Sequence, residues 1–269
     1  MDLGSAIELQ PRNAAEALRA LDAVSELLRG AGDPRAAFPD VYEIITRRVA
    51  SEVARPDGVF FEPAWISRLA GRFCEAYLES LRLSFEGKPQ FCEAWDIAHK
   101  CSALGATVPV QEAMLGLSAH INYDLALGIY TNIVEHGAAD DPRMIARYKH
   151  DHDVVNEILH DACYEAIERL IERHRCGLSE VTYRHARSAA RWVTMQLLRR
   201  WRAQVWDIVE ALLAARSEGE RKQVVEAMDR RAALIGQLIT LPTAVFAASR
   251  PALAGFRGAL ARLSPALAA

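Results

Sequence analysis

A chain of 269 residues with 51% apolar and 7% aromatic side chains can bury a substantial core, which excludes a disordered, collagen-like or disulfide-stapled protein. Charge is nearly balanced, 32 Lys and Arg against 35 Asp and Glu for a formal net of -3, so no nucleic-acid-binding field covers the molecule as a whole. No run approaches the ~20 apolar residues of a membrane-spanning helix, and Met1-Asp2-Leu3-Gly4-Ser5 lacks the basic head and apolar run of a secretory signal, so a cytoplasmic protein is expected.

The elements follow in chain order. Asn13 and Glu16 have the spacing of a capping box, and Leu18, Leu21, Val24, Leu27 and Leu28 recur with helical period until Gly30. A second helix is expected from Asp40, carrying Val41, Ile44, Ile45 and Val49, and Arg55-Pro56-Asp57-Gly58 ends it. Pro63 suits the first turn of a third helix with Trp65, Leu69, Phe73, Tyr77 and Leu81 on one face, and Phe91 to Leu104 predicts a fourth. Pro109 opens a long helix to about His136, and a polar turn precedes another from about Arg143 to Arg175. Two more are expected, Glu180 to about Ala215 and Glu218 to about Leu238, before Pro242 and Pro251. No period-2 pattern of strand length appears. The expected fold is all-α, a single compact bundle of about eight helices over 1–248, followed by an Ala-rich mobile tail at 249–269.

Five cysteines at irregular spacing (Cys74, Cys92, Cys101, Cys163, Cys176) contain no C-x-x-C pair and read as reduced, partly buried thiols. The polar groups that could carry chemistry concentrate in two segments. In Leu115 to Leu127, His120 and Asp124 lie four residues apart on one helical face, where imidazole and carboxylate can share a divalent cation or form a hydrogen-bonded acid/base pair. Gly116 and Ala119 beside them are small enough to admit a close neighbour. In Lys149 to Asp161, Asp153, Asn156 and His160 share a face, with His152, Asn156 and His160 as a second row; His150, Asp151 and His152 stand near a helix start, where exposure is ordinary. A short turn predicts that the two helices run antiparallel and adjacent, so that His120 and Asp124 face Asp153, Asn156 or His160. The same groups could instead be a polar network that fixes helix register.

The segment from about Phe38 to Leu170 resembles a bacterial, mainly actinobacterial, family of domains of unknown function with an Asn-Ala-His-Ile-Asn-x-Asp-Leu core. Ser118-Ala119-His120-Ile121-Asn122-Tyr123-Asp124-Leu125 stands in that place, with Ser118 for the family's Asn. Asp153-Val154-Val155-Asn156 resembles a later element, Phe38, Tyr42 and Thr46 an early one, and Trp95 an aromatic on a middle helix. The resemblance implies a helical fold and makes His120, Asn122, Asp124, Asp153 and Asn156 the expected site. It brings no activity with it.

A third segment, Leu178 to Val209, sets Arg184, Arg187, Arg191, Arg199, Arg200 and Arg202 against Glu180 and Asp207, with Trp192, Trp201 and Trp206 between them. Val193, Leu197, Leu198, Trp201 and Val205 make its core-facing stripe, leaving the arginines to a solvated face or to an anionic ligand near His120. G-x-G-x-x-G, P-loop, G-x-S-x-G and H-E-x-x-H patterns are missing, as are the paired Glu-x-x-His motifs of di-iron bundles; Asp140-Asp141 and Asn156 only faintly match terpene-cyclase elements, with His160 where Ser is needed.

The expected function is therefore a helical enzyme of small-molecule metabolism, acting on an apolar substrate with an anionic group. His120, Asp124 and Asn122 are its expected catalytic residues, and Asn156, Arg191 and Trp95 its substrate-binding ones. A metal version, hydrolase or oxidase, would place zinc or iron on His120, Asp124, Asp153 and His160. The alternative is a non-catalytic interaction module with a structural His/Asn/Asp network. No nucleic-acid partner is expected; surface Ala and Leu on amphipathic helices suit a homodimer.

Overall fold

The computed structural model of the chain describes residues 10–105, 107–174 and 177–263, with side chains over 10–105, 107–174 and 192–241. Among the described residues the protein is an all-α bundle of eight helices without strands. They are α1 (Ala14–Gly30), α2 (Ala37–Ala54, after a short 3-10 turn Pro34–Ala36), α3 (Pro63–Phe85), α4 (Glu93–Ala103), α5 (residues 109–135), α6 (Pro142–His174), α7 (Gly177–Ala214) and α8 (Glu218–Leu263). The starts follow the expected signals. At α1 the Asn13 side chain accepts from the Glu16 N–H at 3.0 Å, while Glu16 takes the Arg12 N–H and the Asn13 amide at 2.8 Å each. Pro63 and Pro109 occupy first turns, where a missing N–H costs nothing. The last helix runs past Pro242 and Pro251 to Leu263, beyond the end expected at Leu238; Ala and Leu dominate this stretch and favour continuation. Of the tail at 249–269, residues 264–269 and all side chains lie outside the described residues.

Two buried aspartates fix how these helices sit. Asp40, fully buried at the start of α2, accepts from Ser25 of α1 at 2.5 Å and from Arg173 and His174 of α6 at 2.5 and 2.8 Å. Burial pushes its carboxyl upward, but the bonds from His174, Ser25 and Arg173 outweigh this and leave it below the usual range. Asp151 of α6, also fully buried, accepts the N–H groups of Phe61 and Glu62 at 2.8 and 2.7 Å and so ties α6 to the chain entering α3. These tethers explain a departure from expectation. α6 packs chiefly on α2 and α7 and only lightly on α5, so the two consecutive helices are not the close antiparallel pair that the short turn predicts. Close approach elsewhere depends on glycine: a Cβ at Gly71 of α3 would lie 2.4 Å from the Arg12 carbonyl carbon, where the chain enters α1.

Candidate functional site

α5 is an α-helix over Pro109–Ala119 and again over Leu125–Glu135, and between them His120–Asp124 forms one turn of π-helix in which Leu125 N–H bonds the His120 carbonyl. Such a turn widens the helix and is common where a side chain must be aimed for function. Here it carries the residues the sequence singles out. His120 Nδ1 lies 2.9 Å from Asp124 Oδ2, and the same oxygen accepts the indole N–H of Trp95, from α4, at 2.9 Å. His120 is 1% exposed and Asp124 4%.

Aromatic rings enclose the imidazole. Phe73 of α3 stacks on it with centroids 3.3 Å apart and planes within 8°, and Tyr42 of α2 meets its edge at 4.6 Å. Phe38, Trp95 and Tyr77 stand at 5.6, 6.2 and 6.5 Å. This apolar wall explains the electrostatics: burial holds the His120 imidazolium far below the ordinary range and pushes the Asp124 carboxyl far above it, Trp95 only partly opposing. Both directions favour the uncharged pair, in which the carboxyl donates its hydrogen to Nδ1 and Nε2 carries the imidazole hydrogen as a donor; when the pair loses a proton, the carboxylate accepts from Nδ1–H and Nε2 becomes an acceptor. Nε2 is buried and has no hydrogen-bond partner among the described residues.

His120 also lines an apolar chamber of about 90 Å³. Its walls come from five helices: Tyr42, Thr46 and Val49 of α2, Leu69 and Phe73 of α3, His120 and Ile121 of α5, His152 and Val155 of α6, and Arg202 of α7. On the other side of the π turn, Asp124 and Tyr123 line an open surface groove with Phe91, Leu127 and Arg72.

The far polar wall is a second network. Arg202, 5% exposed, donates through Nη2 to the His152 carbonyl at 2.5 Å and towards His152 Nδ1 at 3.2 Å, and through Nε to Asn156 Oδ1 at 2.9 Å. His152 Nε2 lies 3.1 Å from the Arg202 carbonyl, which can only accept. His152 must therefore carry its hydrogen on Nε2 and offer Nδ1 as acceptor, the neutral form that burial and the Arg202 charge both favour. Burial lowers the Arg202 guanidinium to about 10, which leaves it charged at neutral pH.

The expected residues are thus brought together only in part. His120 and Asp124 pair as read. Asn122 bonds Ser118 at 3.2 Å within α5 and joins neither the dyad nor the chamber wall. Asp153 is exposed, and His160 is half-buried beside Asp161 at 3.2 Å, because α6 turns that face outward. The set His120, Asp124, Asp153 and His160 consequently does not fit zinc or iron, and no group of three or more His, Cys, Asp or Glu side chains placed to hold a metal occurs among the described residues. Asn156 holds Arg202 rather than facing the chamber, and Trp95 stands behind the dyad and outside the chamber wall. The Arg191 and Cys176 side chains lie outside the described residues. His152 and Asp151, expected among exposed polar residues, are buried at 1% and 0%.

Arg202 belongs to the arginines expected either on a solvated face or around an anionic ligand near His120; it is buried and lines the chamber with His120. Its signal was its register, with Leu198 four residues before it and Val205 and Trp206 three and four after, all buried. The aromatic and Thr positions of the resemblance converge on the site: Phe38, Tyr42 and Trp95 surround His120, and Thr46 lines the chamber.

A model for a family of unknown function (DUF5995) matches residues 14–242, a wider stretch than the 38–170 that carries the resemblance. No curated protein and no solved structure matches the chain. No helix among the described residues is long and apolar enough to cross a membrane.

Proposed function

We propose, from the premise that the chain belongs to this family of unknown function, DUF5995, that it is a small-molecule enzyme with His120 as its acid/base and Asp124 as the group that orients it. The observation that carries this reading is the buried, unpartnered Nε2 of a residue lining an apolar chamber while Asp124 holds its Nδ1. A buried polar atom left unpaired costs about 1–3 kcal/mol, and a bound substrate offering a partner would recover it. When a proton leaves Nε2 the carboxyl hydrogen moves to Nδ1, so the imidazole stays neutral and the negative charge left on the dyad sits on Asp124. Asp124 also lines the surface groove on its other side.

The test compares the natural protein with His120→Gln in a metabolite extract followed by mass spectrometry. The natural protein is expected to deplete at least one small metabolite that the folded variant leaves untouched. Identical profiles from two folded proteins would overturn the reading.

A second reading, a module that binds a partner or a second copy, has one observation in its favour. Leu234, Leu238 and Leu241 form an exposed row on α8 at 56%, 58% and 54%. Light scattering on the natural protein and on Leu234→Glu/Leu238→Glu tests it: a dimer dissociated by the charges supports it, and a monomer in both samples removes the homodimer.

A further inference from the structure

The chamber joins two chemically different walls. One is aliphatic and aromatic, with Val49, Leu69 and Val155 among its members; the other includes Arg202 and His152. That cation is 5% exposed and has no carboxylate within ion-pair distance among the described residues: its hydrogen-bond partners are a carbonyl, a neutral imidazole nitrogen and an amide oxygen. Those bonds engage Nε and Nη2 and leave the two N–H groups of Nη1 without an acceptor among the described residues. The Asp153 carboxylate only partly offsets the burial of this cation, and hydrogen bonds to neutral groups alone hold the guanidinium in place, which is costly for a buried charge.

We propose that Arg202 is an anion subsite of the chamber and that the ligand it takes is a short aliphatic monocarboxylate. This rests on the reading of the chamber as a ligand site, and it names the class of molecule that enters. Charge sets the head group. Arg202 supplies one positive charge to the walls and His152 is neutral, so a single negative charge is balanced, whereas a phosphate dianion would bring a surplus charge into an apolar enclosure. A planar carboxylate also matches the paired N–H geometry of a guanidinium. Volume sets the tail. About 90 Å³ is smaller than the cavity of about 150 Å³ that holds benzene in another protein, which leaves room for an alkyl tail of about three carbon atoms with the head group at the Arg202 wall. Asn156 and His152 are positioning residues in this arrangement, since they touch Arg202 rather than the ligand.

The experiment uses the full-length protein and three probes: sodium butyrate, neutral butyramide and inorganic phosphate. Binding is read by calorimetry and by the concentration-dependent rise in melting temperature that any native-state ligand produces. Butyrate is expected to bind and raise the melting temperature, and butyramide and phosphate are not. Arg202→Met should weaken butyrate by about tenfold or more, the loss expected for one charge-assisted contact, and Arg202→Lys should recover part of it. If Arg202→Met does not fold, the three probes on the natural protein still decide.

Equal binding of butyrate and butyramide would overturn the anion subsite while keeping the chamber as an apolar site. Phosphate binding more tightly than butyrate would overturn the carboxylate. Failure of every probe would overturn the carboxylate subsite, and a Val155→Phe variant more stable than the natural protein would then show that the void is only imperfect packing, so that the chamber reading itself would fall.

Discussion

Phe38 occupies the space that any side chain at position 116 would need. A Cβ built on Gly116 would lie 2.3 Å from Phe38 Cγ and 2.7 Å from its Cβ, the stiff root of the ring rather than a mobile tip. Phe38 cannot retreat, because its ring already meets Tyr77 at 4.9 Å, Trp95 at 5.8 Å and His120 at 5.6 Å. Gly116→Ala should therefore destabilise the protein by about 1–3 kcal/mol, the usual cost of overpacking. Gly128→Ala in the same helix is the control. Its added methyl meets only Leu69 Cδ1 at 3.4 Å, and the gain in helix propensity should leave it neutral or up to about 1 kcal/mol more stable. Urea unfolding of both variants checks the pair, and equal stabilities would refute the assignment of Gly116.

Acid should expose the buried imidazoles. His99, stacked on Trp95 at 5.4 Å and bonded to Ser80 at 2.7 Å, is lowered to about 3 by burial and, secondarily, by the Arg35 charge. The unfolded chain protonates this residue near 6.5 and the folded protein does not until about 3, so its contribution to stability is lost as pH falls through that window. The slope is about 1.4 kcal/mol per pH unit for one such group. His99→Gln, which can still bond Ser80, should lose stability less steeply between pH 6.5 and 4 by about that slope. Parallel profiles from urea unfolding across this range would contradict it.

Asp40 has the opposite sign. Its carboxyl is held below 3.8 in the folded protein, so the stability it contributes is present above that value and lost as pH falls through its lower folded value. Asp40→Asn removes the charge that Arg173, His174 and Ser25 address, and should cost about 2–3 kcal/mol at pH 7. The difference between variant and natural protein should shrink below pH 4, where the unfolded chain's carboxyl takes up its proton while the folded one still holds its charge. A gap that stays constant from pH 7 to pH 3 would show that shape, and not charge, is what position 40 supplies.

Helix starts were legible because each depends on a few adjacent residues: Asn13 with Glu16, Pro63 and Pro109 all do in the structure what local chemistry demands of them. The His120–Asp124 contact was legible for the same reason, since four-residue spacing on a helix is a local fact. What faces that pair was not. The turn after α5 predicted α6 as its partner, yet the long-range bonds of Asp40 and Asp151 draw α6 elsewhere, and nothing near either aspartate announces a partner 134 or 90 residues away. Arg202 shows a different limit. Its register among Leu198, Val205 and Trp206 pointed inward, but its charge pointed outward, and only the acceptors on α6 decide between them.

Trp95 provides the test of how the dyad is poised. Its indole N–H is the one contact that draws the Asp124 carboxyl back towards the ordinary range against the effect of burial. Trp95→Phe keeps an aromatic ring against Phe38 and His99 while deleting that donor. Two consequences follow with different readouts. Stability should fall by about 1–2 kcal/mol, since a bond to a buried carboxyl is lost and the oxygen keeps only the His120 contact. The carboxyl should also become harder to ionise, which favours the form with hydrogen on both the carboxyl and His120 Nε2 and extends it to higher pH. Nitrogen-15 chemical shifts of the His120 ring, followed against pH in the natural protein and in Trp95→Phe, measure this directly. A shift of the His120 titration to higher pH in the variant is expected. An unmoved titration with the same loss of stability would assign Trp95 to packing alone and leave burial as the sole control of the pair.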